Sequence, residues 1–354
     1  MSTSDHVLGP GPSVSLDIES SADIDRAQRL AATHAGGLGE ADRERVAMVA
    51  TKLATHLVGH GNAARFLVRP WAGEGLRGVE FVATDAASSH LDGREAYRRS
   101  GADDPDIAAV ARVSDFFDVY STPAAGSVMM ARVWSGRPTA AETPQFLVGS
   151  MIEAIPGEFA CGDGWAVEQQ GARIVALVAD GLGHGPGAAQ ASTAALEVFR
   201  DHQREPVETI AGFIHRGLTR TRGAAIAVVE VDQLAGRVRF CGIGNIAMRL
   251  VTGRGHKRLV SQFGIAGYQN PNIRTLEHPW TEGALLVMHS DGLSTGWDFN
   301  AYDGLERHHP QLAAATVMRE ATRAHDDAVV IAVRGANGAD GFDGTTSTAG
   351  SDSA

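Results

Sequence analysis

The sequence predicts an α+β protein in two units, a helix-rich α/β layer followed by a strand-rich unit flanked by helices. Three observations carry this. Across residues 14–135, helical spacing of apolar positions precedes a few strand-like runs; from residue 146 onward strand-like runs dominate; and several of those later runs end in aspartate followed by glycine.

At 354 residues the chain has room for two domains of ordinary size, each burying its own core. Hydrophobic residues at 44% and charged residues at 21% fit a soluble globular protein, and no apolar stretch approaches the roughly 20 residues of a membrane span. The N-terminus lacks a basic segment followed by an apolar one, so no secretory signal is expected and the cytoplasm is the expected location. Cys161 and Cys241 lie far apart beside apolar or glycine residues, which fits free thiols in a reducing compartment. A net charge of -11 argues against non-specific nucleic-acid binding, which needs a basic footprint, and is compatible with carboxylates gathered around a cation.

Residues 1–13, rich in Ser, Gly and Pro, are expected to be disordered. Alternation over 14–18 predicts a strand. Ile24, Ala27, Leu30 and Ala31 mark a helix over 23–34, and Val46, Val49, Ala50, Leu53 and Leu57 a second over 40–58. Strands follow at 64–68 and 78–83, the second ending in Thr84-Asp85; a helix is expected over 107–117 and a closing strand over 127–133.

That order resembles the ATPase domain of the anti-sigma and histidine-kinase superfamily, most closely the RsbT-like switch kinases, an α/β two-layer sandwich. The resemblance places Lys52 and His56 where the family carries a glutamate and a magnesium-holding asparagine. Asp85-Ala-Ala-Ser-Ser-His90 keeps the family's aspartate but neither glycine of its box, and Ser100-Gly-Ala-Asp-Asp-Pro-Asp-Ile107 stands at the phosphate lid. Asp103, Asp104 and Asp106 would repel a polyphosphate, and neither Lys52 nor His56 offers magnesium a hard oxygen. A degenerate domain that does not bind ATP is therefore expected, with Lys52 and His56 as surface residues and His60 at a helix end.

Two prolines and small polar residues mark 136–145 as a linker. Beyond it, Phe159-Ala-Cys-Gly-Asp-Gly-Trp-Ala-Val167 sets Asp163 between glycines. The apolar run 172–179 ends in Asp180-Gly181, and a helix is expected over 188–199. A second helix spans 207–219, and strands follow at 224–231, 237–241 and 248–251. The run 284–288 leads into His289-Ser-Asp-Gly-Leu293. A helix over 312–323 precedes Asp326-Asp327 and the last strand, and 335–354 is expected to be disordered. One Asp-Gly is a common turn dipeptide. Asp163, Asp180, Asp291 and the pair Asp326 and Asp327 form a recurring set, and four carboxylates that converge without a cation would repel one another. Oxygen ligands without zinc-like spacing of His or Cys point to magnesium or manganese, and two such ions sharing an aspartate can activate a water for in-line attack on phosphorus.

The blocks CGDGWAV, VADGLGHG, FCGIGN, SDGLSTG and DDAVVIAV, in that order, resemble the metal-dependent phosphatases of the protein phosphatase 2C (PPM) superfamily in its SpoIIE and RsbX branch. The resemblance implies a β-sandwich flanked by helices over 146–334 and a protein serine/threonine phosphatase with two manganese or magnesium ions. Asp180 would bridge both ions, Asp163 and the Gly181 carbonyl would serve one, and Asp291 and Asp326 the other, with Asp327 the adjacent alternative to Asp326. Many relatives carry a second aspartate where this chain has Ala166. The implied substrate is a phosphorylated regulatory protein of the STAS, anti-anti-sigma or stressosome type, in bacterial stress-response partner switching.

Competing readings are a non-catalytic partner-switching scaffold and an ATP-dependent switch kinase. Among the remaining candidates, His184 reads as a hydrogen-bonding residue near a helix start and Asn245 as a turn residue. Trp165 and Trp297 suit the core as well as a cleft, His308-His309 reads as a solvated loop, and Arg173 or Arg220 could meet a phosphoprotein.

Overall fold

The computed structural model describes residues 6–9, 13–60, 63–73, 76–86, 104–122, 126–136, 144–253, 255–268, 273–323 and 325–336. His90, the lid position Asp103, most of the expected linker and nearly all of the expected tail lie outside these.

Among the described residues, the first unit is one antiparallel sheet covered by three helices. Its strands are β2 (Val14–Ile18), β3 (Ala64–Gly73), β4 (Leu76–Asp85), β5 (Phe116–Thr122) and β6 (Gly126–Ser135), in the order β2-β3-β4-β6-β5. The helices are α1 (Ser21–His34), α2 (Glu40–His60) and α3 (Pro105–Val113). Ser20 and Asp23 close a capping box at the start of α1, and the Asp104 carboxylate accepts the Asp106 and Ile107 N–H groups at the start of α3. The α2 stripe of Val46, Val49, Ala50, Leu53 and Leu57 is buried against Phe66, Phe81 and Met129 of the sheet. The helix expected over 107–117 stops at Val113, and 116–122 is a strand. Phe117 and Val119 pack toward the helices while Phe116 and Tyr120 pack on the opposite face, so both faces of β5 are covered and the alternation that announces a half-exposed strand is missing.

The second unit is two facing antiparallel sheets. One is ordered β1-β8-β9-β10-β11-β14, from β1 (His6–Leu8), β8 (Asp163–Gln170), β9 (Arg173–Gly181), β10 (Ala224–Asp232), β11 (Arg237–Ile243) and β14 (Leu276–Pro279). The other is ordered β13-β12-β15-β16-β7, from β7 (Phe146–Glu153), β12 (Ala247–Thr252), β13 (Gly255–Val260), β15 (Leu285–His289) and β16 (Ala328–Gly335). Trp165, Val178 and Ala227 face Met248, Leu286, Met288 and Ile331 between the sheets. Helices α4 (Pro186–His202) and α5 (Val207–Gly217) cover the outer face of the first sheet through Phe199, Ile210 and Ile214.

Each unit buries a core of its own, as expected, and a further apolar cluster joins the two. Helix α6 (Pro310–Ala321) is buried at every residue from Pro310 to Met318, as a helix apolar around most of its circumference must be. It lies between the outer face of the second sandwich sheet and Leu67, Val82, Tyr120, Val128 and Met130 of the first unit. Polar ties cross the same layer. Arg69 donates to Glu80, to the Ser150 carbonyl and to Gln311, and Arg65 pairs with Glu153 at 2.6 Å. A second difference is at the N-terminus, where His6–Leu8, expected to be disordered, pairs antiparallel with β8. No helix among the described residues is long and apolar enough to cross a membrane.

Candidate active site

Antiparallel pairing places the start of one strand beside the end of the next, and this gathers the aspartates. Asp163 opens β8 and Asp180 lies at the end of β9, and the two are register partners. In the facing sheet, Asp291 follows β15 and Asp326-Asp327 precedes β16, its antiparallel neighbour. All therefore stand at one end of the sandwich. Two glycines let the backbone close there. A Cβ on Gly181 would lie 2.0 Å from the Ala188 carbonyl oxygen, and one on Gly292 would lie 1.8 Å from that of Asp327.

The carboxylates differ in what holds them. Asp163 is buried and accepts the Ser290 hydroxyl at 2.6 Å, while the same Ser290 oxygen accepts the Val329 N–H at 3.1 Å. Asp291 receives the Asn245 amide at 2.5 Å. Asp180 is half-buried at the centre of the set. Burial, then the charge of Asp163 and Asp291, pushes its pKa far above the usual carboxylate range. Burial likewise raises Asp163, with Asp327, Asp326 and Asp291 adding to the effect, and raises Asp326, where Asp291 is the next contributor. Among the described residues, no Lys, Arg or His forms an ion pair with Asp163, Asp180, Asp291 or Asp326, and no three His, Cys, Asp or Glu side chains close around a common point as a ready metal cage.

The adjacent pair Asp326 and Asp327 divides its work. Asp327 is buried, and its two oxygens accept the Ile155 N–H at 2.9 Å and the Gly162 N–H at 2.8 Å. It fastens the turn that carries Asp163. Asp326, half-buried, uses one oxygen on the Asp327 N–H at 3.0 Å, and the charge of Asp291 adds to the burial that raises its pKa.

Several other sequence readings change. Asn245 is more than a turn residue, since its side chain holds Asp291. Ser290 and Arg222 escaped notice, the first because a serine before Asp-Gly carries no signal of its own, the second because only the fold brings Arg222 over the Gly183–Gly187 turn. His184 pairs with Glu158 at 2.8 Å. Arg173 begins β9, at the opposite end from Asp180, and pairs with Glu230 at 2.7 Å. Trp165 is in the core, and Trp297 donates to buried His289 at 3.2 Å. His289 donates in turn through Nδ1 to the Ser290 carbonyl, and burial depresses its pKa to about 4, so it is neutral. Ala166 packs against the outer helices. His309, expected in a solvated loop, is buried and accepts the Gln311 N–H, while His308 contacts Asp118 at 3.0 Å. His56, expected on a surface, is buried with Nδ1 2.5 Å from Asp104, and Lys52 pairs with Asp106 at 2.8 Å.

The described residues thus form a two-sheet sandwich with a carboxylate cluster at one end. Residues 170–335 match the family model of stage II sporulation protein E, SpoIIE. The phosphoserine phosphatase RsbX of Bacillus subtilis (strain 168) is 25% identical over 141 residues, which cover 39% of this chain and 70% of RsbX. A solved structure described under the bacterial stressosome as a modular system adapted to control secondary messenger signalling is 31% identical. It aligns over 53% of this chain and 99% of its own, with a TM-score of 0.51. A structure of RsbX in complex with magnesium is 21% identical over 55% of this chain and 98% of its own, with a TM-score of 0.49. Residues 170–335 thus form a SpoIIE/RsbX-type phosphatase domain of the protein phosphatase 2C class, and the chain is a protein serine/threonine phosphatase.

Proposed function

We propose that residues 146–334 hydrolyse phosphoserine or phosphothreonine on a regulatory protein of the STAS type, with two divalent cations held at the strand-end carboxylates. The observation that carries this is the juxtaposition of Asp163 and Asp180 across β8 and β9, with the charges of Asp291 and Asp326 from the facing sheet acting on both and no ion-pair partner among the described residues. Buried carboxylates in this state are stabilised by a hard cation, and an all-oxygen donor set suits magnesium or manganese. Asp180, the Gly181 carbonyl and Asp163 are the proposed ligands on one sheet, and Asp291 and Asp326 those on the other. When bound, such ions supply a water of lowered pKa and neutralise charge at phosphorus.

The chain's own residues prepare the site. Ser290 fixes one oxygen of Asp163, leaving the other to face the cluster, and neutral His289 fixes the Ser290 backbone. Asn245 orients Asp291. Asp327, with both oxygens committed to backbone amides, frames the Gly162 turn and is proposed as support in place of a ligand. Residues 14–135 are proposed to act as a regulatory unit that does not use ATP. His56 and Lys52, where a nucleotide site would need hard oxygens, are engaged with Asp104 and Asp106. The proteins named in the comparisons, RsbX and a stressosome component, support a partner-switching substrate.

The test is hydrolysis of p-nitrophenyl phosphate and of a phosphorylated STAS-domain protein by the full chain with manganese. Turnover that stops with chelator and with Asp180→Asn supports the reading. Turnover that survives both contradicts it.

A further inference from the structure

The acidic end of the sandwich also carries exposed apolar surface. Among the described residues, eight large hydrophobic side chains are exposed, and four of them, Phe159, Leu182, Phe263 and Tyr268, sit on the loops that carry or brace the carboxylates. Phe159, at 107% exposure, precedes Asp163 on a segment pinned by Glu158 to His184 and by Gly162 to Asp327. Leu182 follows Gly181 directly, and its N–H donates to the Gly223 carbonyl at 3.0 Å. The Tyr268 ring covers Gly223, where a Cβ would come within 3.0 Å of it. Phe263, at 103% exposure, follows Gln262, which is hydrogen-bonded to Gly242 and Gly244 just before Asn245. These side chains stand on loops held in place by hydrogen bonds.

One free cation belongs to the same rim. Arg222 is exposed, and its guanidinium lies over Gly183 and Gly187, where an added Cβ would meet it at 3.5 and 2.6 Å. Among the described residues no carboxylate pairs with it, whereas the other charged rim pair, Glu158 and His184, is internally matched. Leaving a large apolar side chain in water forgoes its burial, so several of them grouped around a site mark a contact surface. A small phosphomonoester has no surface to offer them.

We propose that Phe159, Leu182, Phe263 and Tyr268 form a docking collar for a phosphoprotein segment whose phosphoserine or phosphothreonine is flanked by apolar side chains, with Arg222 meeting the phosphate. The assignment deepens the phosphatase reading above and rests on it. Charge complementarity and continuity with the carboxylate cluster select this occupant. In a chain of net charge -11, Arg222 is a positive group without a carboxylate partner among the described residues, set over the Gly183–Gly187 turn that follows Asp180 and Leu182.

The experiment compares three substrates on the full chain with manganese: p-nitrophenyl phosphate, a phosphoserine peptide with Leu and Val on both sides, and the same peptide with Ser and Asn there. The collar predicts kcat/KM about tenfold higher for the apolar peptide, a preference that F159S combined with F263S reduces to about twofold or less, with p-nitrophenyl phosphate turnover unchanged. Both substitutions fall at fully exposed side chains, and an unchanged p-nitrophenyl phosphate rate reports that the variant is folded. Equal rates on the two peptides would overturn the collar while leaving the phosphatase reading intact. So would a double variant that slows p-nitrophenyl phosphate as much as the peptide, or one that converts a dimer seen by sedimentation into a monomer, since the occupant would then be a second copy. No turnover of any substrate would remove the phosphatase reading and the collar with it.

Discussion

Each unit of this protein ends a sheet strand in an aspartate withdrawn from water, fully for Asp85 and half for Asp180, and the two solve the resulting charge problem in different ways. Asp85 closes β4, and the His56 imidazole lies between it and Asp104, with Nε2 3.8 Å from Asp85 and Nδ1 2.5 Å from Asp104. Burial pulls the His56 pKa down, but the two carboxylates outweigh it and the net pKa is raised, so the unit carries its own cation. At the end of β9, Asp180 meets only further carboxylates. A cluster that supplies its own counter-charge is finished as structure, whereas one without it is suited to take a cation from solution.

The largest effect expected from breaking this contrast is at the acidic end. Asp180→Asn should lower manganese-dependent kcat/KM on p-nitrophenyl phosphate by about a thousandfold while leaving the protein folded, as read by steady-state kinetics and circular dichroism. His56→Ala should do the converse. Removing the buried cation leaves Asp85 and Asp104 unmatched, and a loss of about 3–5 kcal/mol is expected in urea unfolding, with the remaining folded protein keeping its p-nitrophenyl phosphate turnover.

The same histidine sets a pH dependence. A group whose folded pKa is raised stabilises fully below its unfolded value, about 6.5 for histidine, and that contribution disappears as pH rises through the folded pKa. Stability from urea melts should therefore fall on the alkaline side of about pH 6.5, and His56→Gln should flatten that fall. Smaller again, Asn245→Ala frees Asp291 and should cost about tenfold in kcat. Lys52→Met removes a half-exposed pair with Asp106 and should change stability by about 1 kcal/mol or less.

How much of this was legible in the sequence depended on whether a signal was local. Asp163, Asp180, Asp291 and Asp326 could be picked out because strand-end Asp-Gly and Asp-Asp are contiguous patterns, and antiparallel pairing then collects strand ends without further information. The helical stripe of α2 was legible for the same reason. What failed were properties set by distant partners. His56 reads as a surface residue until Asp85 and Asp104 close on it, and His309 reads as a loop residue until the first unit covers α6. Ser290, Asn245 and Arg222 have no pattern of their own. The cluster shared by the two units was also hidden, because a helix apolar around most of its circumference, such as α6, does not reveal that two different sheets bury it. Asp326 and Asp327 are equivalent in sequence and separate only through the backbone amides that occupy Asp327.

The central claim is that the acidic end lacks its own counter-charge and takes it from divalent cations. Titration calorimetry of the full chain with manganese in two buffers of different ionisation enthalpy tests it directly. Carboxylates with raised pKa values should release protons as the metal enters, so the account predicts saturable binding with a buffer-dependent heat that Asp180→Asn largely removes. The absence of saturable manganese binding, or binding that Asp180→Asn leaves unaltered, would contradict it.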